Sequence, residues 1–380
     1  MKIAFAHCRV MPWGALNVLK DLIREENFKN AQVFALLSDR KELDNWNVKI
    51  NVKTVLPGWI NQIFLFFKEK NIPVLSSIFD YRNLIVFYPL LMKILSKKIK
   101  KFDPDRIVIS SFAITKNLEQ CLPPKSPTQS SKITQSNRLK SSKLYLHSPM
   151  QYIRDSYEEY IEKVGWLKLR FFKFLVPYLR KRDKKYTHFD EVVFNSKYTS
   201  ELAKKIYWLN WKIIYPMVDK QFFDSKIEKN PLSYYVYVWR LVRFSKECDK
   251  IVELFNEIEE PLLVIWNWPD EKYLKKNSKW NIIFLWRIKN TKERIEIMRK
   301  AKWLINITKE SFWLVTAESL LLWVPVLGYS KWATPELVDE KSWYLVENKE
   351  IKTLKKWFNE FKNIHFDREY IAKKIREKIK

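Results

Sequence analysis

Short apolar runs alternate with stretches of helical period along most of the chain. Residues 2–8, 32–38, 48–55 and 102–111 are apolar and bounded by turn residues, so each is expected as a buried strand. Residues 15–26, 60–67 and 84–99 carry apolar positions at helical spacing and are expected as amphipathic helices. The alternation resumes with strands expected at 144–147, 234–241 and 304–308 and a helix at 293–301. Repeated strand–helix units predict an α/β protein with parallel sheets. Residues 122–143, LPPKSPTQSSKITQSNRLKSSK, break the pattern and are expected as a mobile loop inside the first domain.

One stretch organises the rest: KESFWLVTAESLLLWVPVLGYSKWATP, residues 309–335. Glu310 and Glu318 stand eight residues apart, with a short turn and an apolar helical run between and after them. Pro325 then opens a short strand. A helix starting near Leu314 would point free N–H groups and partial positive charge toward whatever lies in front of Glu310. Glu318 would sit about one turn into that helix, so both acids can border one pocket. An acid, a helix N-terminus and a second acid suit a ligand with central phosphate flanked by hydroxyls. A nucleotide-sugar is such a ligand.

Composition narrows the class. At 380 residues the chain is long enough for two domains, each with its own core. No apolar run reaches the ~20 residues needed to span a bilayer, and the N-terminus reads as a strand, not a signal peptide. Cys8, Cys121 and Cys248 are widely spaced and odd in number. They point to a reducing cytoplasm and away from a disulfide framework or a zinc site. The net charge is +27, of which +19 falls in residues 1–215 and +8 in residues 216–380. That surplus leaves two readings open: a solvated lysine-rich surface, or attraction to an anionic membrane face. A nucleic-acid partner is not expected, since no nucleic-acid-binding motif is present.

Several segments together resemble the retaining glycosyltransferases of family 4, whose GT-B fold has two Rossmann-like domains facing across a cleft. The family signature E-x-F-G-[IL]-x-x-x-E-A-x-A-x-G-x-P-V is matched by Glu310, Phe312, Glu318, Pro325 and Val326. The pattern Y-V-G-R-L followed by lysine is matched by YYVYVWRL, with Arg240 and Lys246 at the right spacing. LYLHSPMQY resembles the H-[ST]-P-M-R-Y segment of mannosyltransferases in the family, carried by His147. The first loop, HCRVMPWG, resembles H-x-x-x-P-x-G-G in carrying His7, Pro12 and Gly14, with the proline one residue later than the pattern and Asn17 in place of its acidic residue.

The resemblance implies domains at 1–215 and 216–362 and a helical tail, 363–380, that packs back on the first domain. It implies transfer of a sugar from a nucleotide-diphosphate sugar to a glycan or lipid-linked acceptor hydroxyl, with retention of configuration. Arg240 and Lys246 would neutralise the leaving diphosphate, Glu310 would hold the donor sugar and His147 would orient it. Glu318 would hold the ribose. Trp313, Leu314, Val315, Trp239, Trp13 and Gly14 would line the phosphate region, and Ile288 would lie near the base. GDP-mannose is the favoured donor, from the His147 segment alone. No cofactor or metal is expected, as no Asp-x-Asp motif occurs in the matched segments. The expected location is cytoplasmic, including the inner face of the membrane. The alternatives are a GT-B sugar-nucleotide 2-epimerase and a non-catalytic basic protein binding membrane or nucleic acid.

Four of the mismatches share one form. Trp13, Trp239, Trp313 and Trp323 each stand where the family has glycine. The chain has 4 glycines and 17 tryptophans, where average usage of about 7% would give roughly 27 glycines. Other tryptophans also occupy turn contexts, as in Asn45-Trp46-Asn47, Asn210-Trp211-Lys212 and Lys279-Trp280-Asn281. Most are therefore expected to be glycine in the organism, as happens where UGA encodes glycine but is translated as tryptophan. Trp357, in a helical run, is the expected exception.

Overall fold

The computed structural model describes residues 1–11, 14–26, 31–39, 51–70, 87–112, 114–121, 141–161, 166–228, 231–238, 247–265, 271–285, 288, 290–312, 314–337, 343–364 and 366–379. Contacts divide the chain into two units, Met1–Tyr215 and Pro216–Lys380.

The first unit holds β1 (Ile3–Val10), α1 (Gly14–Glu25), β2 (Ala31–Ser38), β3 (Asn51–Thr54), α2 (Gly58–Lys70), α3 (Tyr88–Phe102), β4 (Arg106–Ser111), β5 (Ser141–Leu146), α4 (Tyr157–Ile161), α5 (Trp166–Asp183), β6 (Glu191–Phe194), α6 (Lys197–Tyr207) and β7 (Lys212–Ile213). Its seven strands are parallel in the order β3-β2-β1-β4-β5-β6-β7. Helices cover both faces, so the strands are buried on both sides and read as continuous apolar runs. Alternation still sorts them: Ala4, Ala6 and Cys8 join one core cluster, Ile3 and Phe5 the other.

The second unit holds α7 (Lys220–Phe223), β8 (Tyr235–Val238), α8 (Cys248–Ile258), β9 (Leu262–Ile265), α9 (Glu271–Lys276), β10 (Ile282–Leu285), α10 (Thr291–Arg299), β11 (Trp303–Asn306), α11 (Leu314–Leu321), β12 (Val326–Tyr329), β13 (Trp343–Val346), α12 (Ile351–Phe361) and α13 (Arg368–Lys378). Its six strands are parallel in the order β10-β9-β8-β11-β12-β13. An aromatic cluster packs the sheet against α8 and α12. Tyr235 meets Phe255, Trp303 and Phe358 at ring separations of 5.6, 5.2 and 5.0 Å.

Both sheets have the doubly wound order. The first strand lies centrally, and the chain winds outward on one side before crossing to the other. The crossing leaves a crevice at the carboxyl ends of β1 and β4, and again at those of β8 and β11, where open α/β sheets place ligands.

One expectation changes. Residues 141–143 belong to β5, not to the preceding loop; the rest of that loop, 122–140, lies outside the described residues. Their polar letters are absorbed by partners. Ser142 donates from its backbone N–H and hydroxyl to Asp190 Oδ2 at 2.7 and 2.8 Å, and Lys143 lies 3.4 Å from Glu25. Within the second unit the tail helix is anchored locally. There α13 packs on α11, and Arg376 donates to the Phe223 carbonyl at 2.8 Å and covers the Trp323 ring.

The first unit buries an ion pair that ties α5 to the loop after β4. Lys116 Nζ lies 3.0 Å from Asp183 Oδ1, and Arg154 Nη2 lies 3.1 Å from Oδ2. Tyr207 also donates to Oδ2, at 2.7 Å. Burial alone would raise the Asp183 carboxyl, but Lys116, Tyr207 and Arg154 bring it below the ordinary aspartate range.

Left-handed backbone is taken by Asp103, Trp208, Glu247, Glu259, Trp323 and Trp332 among the described residues, and by no glycine. Trp208 ends α6 at φ 56°, its N–H reaching the Lys204 carbonyl at 3.0 Å. Trp323 follows α11 at φ 61°. Its N–H bonds to the Leu320 carbonyl and that of Val324 to Ser319, both at 3.0 Å. These are the bonds of a Schellman cap, whose left-handed residue is usually glycine. A Cβ in that region costs ~1–2 kcal/mol.

Trp208 is 77% exposed and gives up little packing. Trp208→Gly is therefore expected to stabilise the protein by about 1 kcal/mol, part of the relief being offset by a freer unfolded chain. The check is a higher urea midpoint at unchanged slope.

Candidate functional site

In the second unit, the loop after β11 is pinned by polar side chains. Asn306 Nδ2 donates to Thr316 Oγ1 at 2.7 Å, joining the end of β11 to the first turn of α11. Asn306 Oδ1 accepts from the Thr308 backbone at 3.2 Å and from its hydroxyl at 2.6 Å. Thr308 Oγ1 also lies 3.3 Å from Glu310 Oε1, and the Glu310 carbonyl accepts from Ala333 N at 3.1 Å. Glu310 is thus held from both sides at the carboxyl edge of the sheet, half-buried.

Glu318 is the fifth residue of α11 and only 3% exposed. Its Oε1 accepts from Arg294 Nη2 at 2.9 Å. Arg294 rises from α10 with its guanidinium 5.1 Å from the centre of the Phe222 ring. Burial raises the Glu318 carboxyl above its ordinary value; Arg294 opposes that shift and Asp219 adds to it. The second oxygen, Oε2, is buried with no hydrogen-bond partner, as is Arg294 Nε. A native structure rarely leaves a buried carboxylate oxygen unmatched, and a ligand hydroxyl is one partner that would match it.

Leu314 and Val315, the first two residues of α11, are half-buried. Gly14 is the exposed first residue of α1, and Ile288 is half-buried between β10 and α10. Trp13, Trp239, Arg240, Lys246 and Trp313 lie outside the described residues. Arg294, Asn306 and Thr308 were not singled out from sequence. Arg294 stands in a short, strongly charged helix, 24 residues before its partner, and carries no signal to separate it from its neighbours. Lys349 is a further surprise. It pairs with Glu247, the residue preceding α8, and its ammonium lies 3.8 Å from the centre of the Tyr329 ring. Burial pushes Lys349 down to about 8, while Glu247 pulls it upward.

In the first unit, three side chains meet at the crevice between β1 and β4. His7 Nδ1 lies 3.0 Å from Ser110 Oγ and 3.2 Å from the Ser110 carbonyl. Ser110 Oγ lies 2.8 Å from His147 Nε2. His147 directly follows β5, and its backbone N–H donates to the Ser111 carbonyl at 2.8 Å. Phe112 and Tyr145 flank the rings at 5.3 Å from His7 and 5.0 Å from His147. Burial pushes both imidazoles down to about 3; Arg9 adds to the shift at His7, and His7 to that at His147. Both are neutral at physiological pH.

Removing one member of a buried ion pair leaves the other charge without compensation. Arg294→Leu is expected to destabilise the protein by about 3 kcal/mol at neutral pH. The variant raises the folded-state pKa of Glu318 further above its unfolded value, so the native state holds its proton to higher pH. Ionisation then opposes folding, and the deficit grows as pH rises through that window. Urea unfolding at pH 5 and pH 7.5 checks this: an equal deficit at both would show that charge is not the cause.

By sequence the chain matches no family model and no curated protein. By structure it is similar to several solved proteins along its whole length. One is HepE from Anabaena in complex with UDP and glucose: TM-score 0.61, 15% identity, covering 100% of this chain and 99% of that one. Another is WaaG, a glycosyltransferase involved in lipopolysaccharide biosynthesis: TM-score 0.63, 12% identity, 99% and 95% covered. A third is sucrose-phosphate synthase from Thermosynechococcus elongatus: TM-score 0.67, 12% identity, 100% and 94% covered. The likeness is one of fold, and with the two doubly wound parallel sheets it identifies the architecture as GT-B.

Proposed function

We propose that the protein is a retaining glycosyltransferase that moves a sugar from a nucleotide-diphosphate donor to an acceptor hydroxyl. The observation that carries this reading is Glu318: a buried carboxylate with one oxygen on Arg294 and the other unmatched, eight residues beyond a half-buried Glu310 at the same sheet edge. Such an arrangement suits hydroxyls of a sugar and a ribose on either side of a diphosphate. The fold shared with a protein solved with UDP and glucose supports the donor class.

In this reading the transition state is oxocarbenium-like, and negative charge builds on the leaving diphosphate. Preorganised positive charge is the largest available help. Arg240, Lys246 and the N-terminus of α11 supply it. Arginine offers paired hydrogen bonds and lysine a point charge. Glu310 holds the donor sugar, Glu318 the ribose, and His147 the side of the sugar near C6. The two glutamates are not assigned as nucleophile and acid/base, the pairing found in retaining hydrolases. GDP-mannose is the favoured donor, and a glycan or lipid-linked alcohol the acceptor.

The same reading puts the enzyme on the cytoplasmic side of an anionic membrane. No helix among the described residues is long and apolar enough to cross a membrane. Neighbouring helices α3 and α5, joined by Tyr88 donating to the Leu179 carbonyl at 3.1 Å, instead expose Phe87, Leu90, Phe174 and Tyr178. Apolar rings beside a lysine-rich surface suit an interfacial contact.

The reading also takes most tryptophans as glycine in the organism. The left-handed backbone at Trp208, Trp323 and Trp332, and the open exposure of Trp59, Trp211 and Trp280, support it.

Two experiments follow. In a glycine-restored protein, Glu310→Ala and Lys246→Ala are each expected to abolish transfer while leaving thermal unfolding intact; GDP, UDP and their sugars, screened by thermal shift, identify the donor. Full turnover in either variant would remove its residue from the site. Mass spectrometry of the native protein is expected to show glycine at 239, 313 and 323; tryptophan masses there would end the recoding reading.

A further inference from the structure

The three side chains at the β1–β4 crevice have a defined proton order. The Ser110 carbonyl can only accept a hydrogen bond. His7 Nδ1, 3.2 Å from it and 3.0 Å from Ser110 Oγ, therefore carries the ring proton and donates to both. That leaves His7 Nε2 as the unprotonated nitrogen; it is buried without a hydrogen-bond partner, and of the two backbone groups that act on the ring, Ser110 outweighs Arg9. The Ser110 hydroxyl, already accepting from His7, has one proton of its own. Its remaining contact is His147 Nε2 at 2.8 Å. If Ser110 donates there, His147 Nε2 is the acceptor and the ring proton of His147 sits on Nδ1. The opposite assignment, His147 Nε2–H donating to Ser110, would strand the Ser110 proton in a fully buried site.

We propose that Ser110, aligned by His7, is a positioning residue that fixes His147 in its Nδ1–H tautomer, so that His147 meets its ligand as a neutral hydrogen-bond donor. Nδ1 makes no hydrogen bond among the described residues, and the ring sits at the carboxyl edge of the sheet. The ligand group it suits is an acceptor oxygen, such as a sugar hydroxyl. The identity of that ligand rests on the glycosyltransferase reading; the tautomer does not. Two features keep the device in place. Burial holds both imidazoles neutral down to about pH 3, so no protonation step scrambles the order near neutrality. The backbone of His147 is clamped on both sides, its carbonyl accepting from Thr199 Oγ1 at 3.2 Å and its N–H donating to Ser111.

The test uses full-length protein labelled with ¹⁵N-histidine. Long-range proton–nitrogen NMR at neutral pH reads the tautomer of each of the four histidines, and a His147→Gln variant assigns the signals. The expected result is a protonated Nδ1 and an unprotonated Nε2 at His147. In Ser110→Ala that order is expected to relax toward an Nε2–H or mixed state, and Ser110→Thr is expected to restore it. With an active nucleotide-sugar donor, Ser110→Ala is expected to lower kcat by about tenfold, as for other residues that orient a functional imidazole, with recovery in Ser110→Thr. An Nε2–H His147 in the parent protein, or an unchanged tautomer in Ser110→Ala, overturns the proposal. A relaxed tautomer with unchanged kcat overturns the positioning role. Failure of every nucleotide-sugar to turn over would reject the enzymatic reading and leave the NMR result to decide the proton order.

Discussion

In an all-parallel sheet covered on both faces, polar side chains at the carboxyl edges must find partners within the protein or bind something that supplies them. Both units of this chain are built that way, and their buried polar groups fall into two kinds. In the first unit, both oxygens of the Asp183 carboxylate meet cations, Lys116 and Arg154, and Tyr207 adds a hydroxyl. That cluster pairs its charges internally and holds α5 against the loop after β4. At the sheet edges the accounts stay open: Glu318 Oε2 is buried without a partner, and His147 Nδ1 makes no hydrogen bond among the described residues. Desolvation with incomplete pairing is unfavourable in the absence of ligand.

Backbone conformation tells a parallel story. A doubly wound fold ends each helix and starts each strand in a few residues, and several of these turns need left-handed backbone. Among the described residues no glycine supplies it, and tryptophan occupies three of the positions. At Trp323 the two hydrogen bonds of the helix cap are intact, so the backbone keeps the geometry of a glycine cap with an indole attached. The Arg376 guanidinium lies over that indole, which shows local accommodation without removing the strain at φ 61°.

Much of the architecture was legible from periodicity. The order of strands and helices, the strand before Glu310, the helix that carries Glu318 and the strand that ends at His147 all follow from apolar spacing and turn residues. The two-domain GT-B class followed from the order of these elements together with a few matched segments. Polar letters misled once: SSK at 141–143 reads as loop but is strand, because Asp190, Glu25 and Glu191 match its donors from elements far along the chain.

By itself, then, the sequence determined which segments are strands, which are helices, and that two glutamates flank one helix start. These are local properties, set by the spacing of apolar side chains within ten or twenty residues. Only the tertiary structure decided who partners whom. Arg294 reaches Glu318, 24 residues on, where α10 and α11 both pack against α7 in the second unit. His7 and Ser110, 103 residues apart, meet because β4 crosses back beside β1, and the parallel register sets them opposite each other. Partners brought together by sheet order leave no trace in local spacing, so the acids were visible beforehand and the groups that tune them were not.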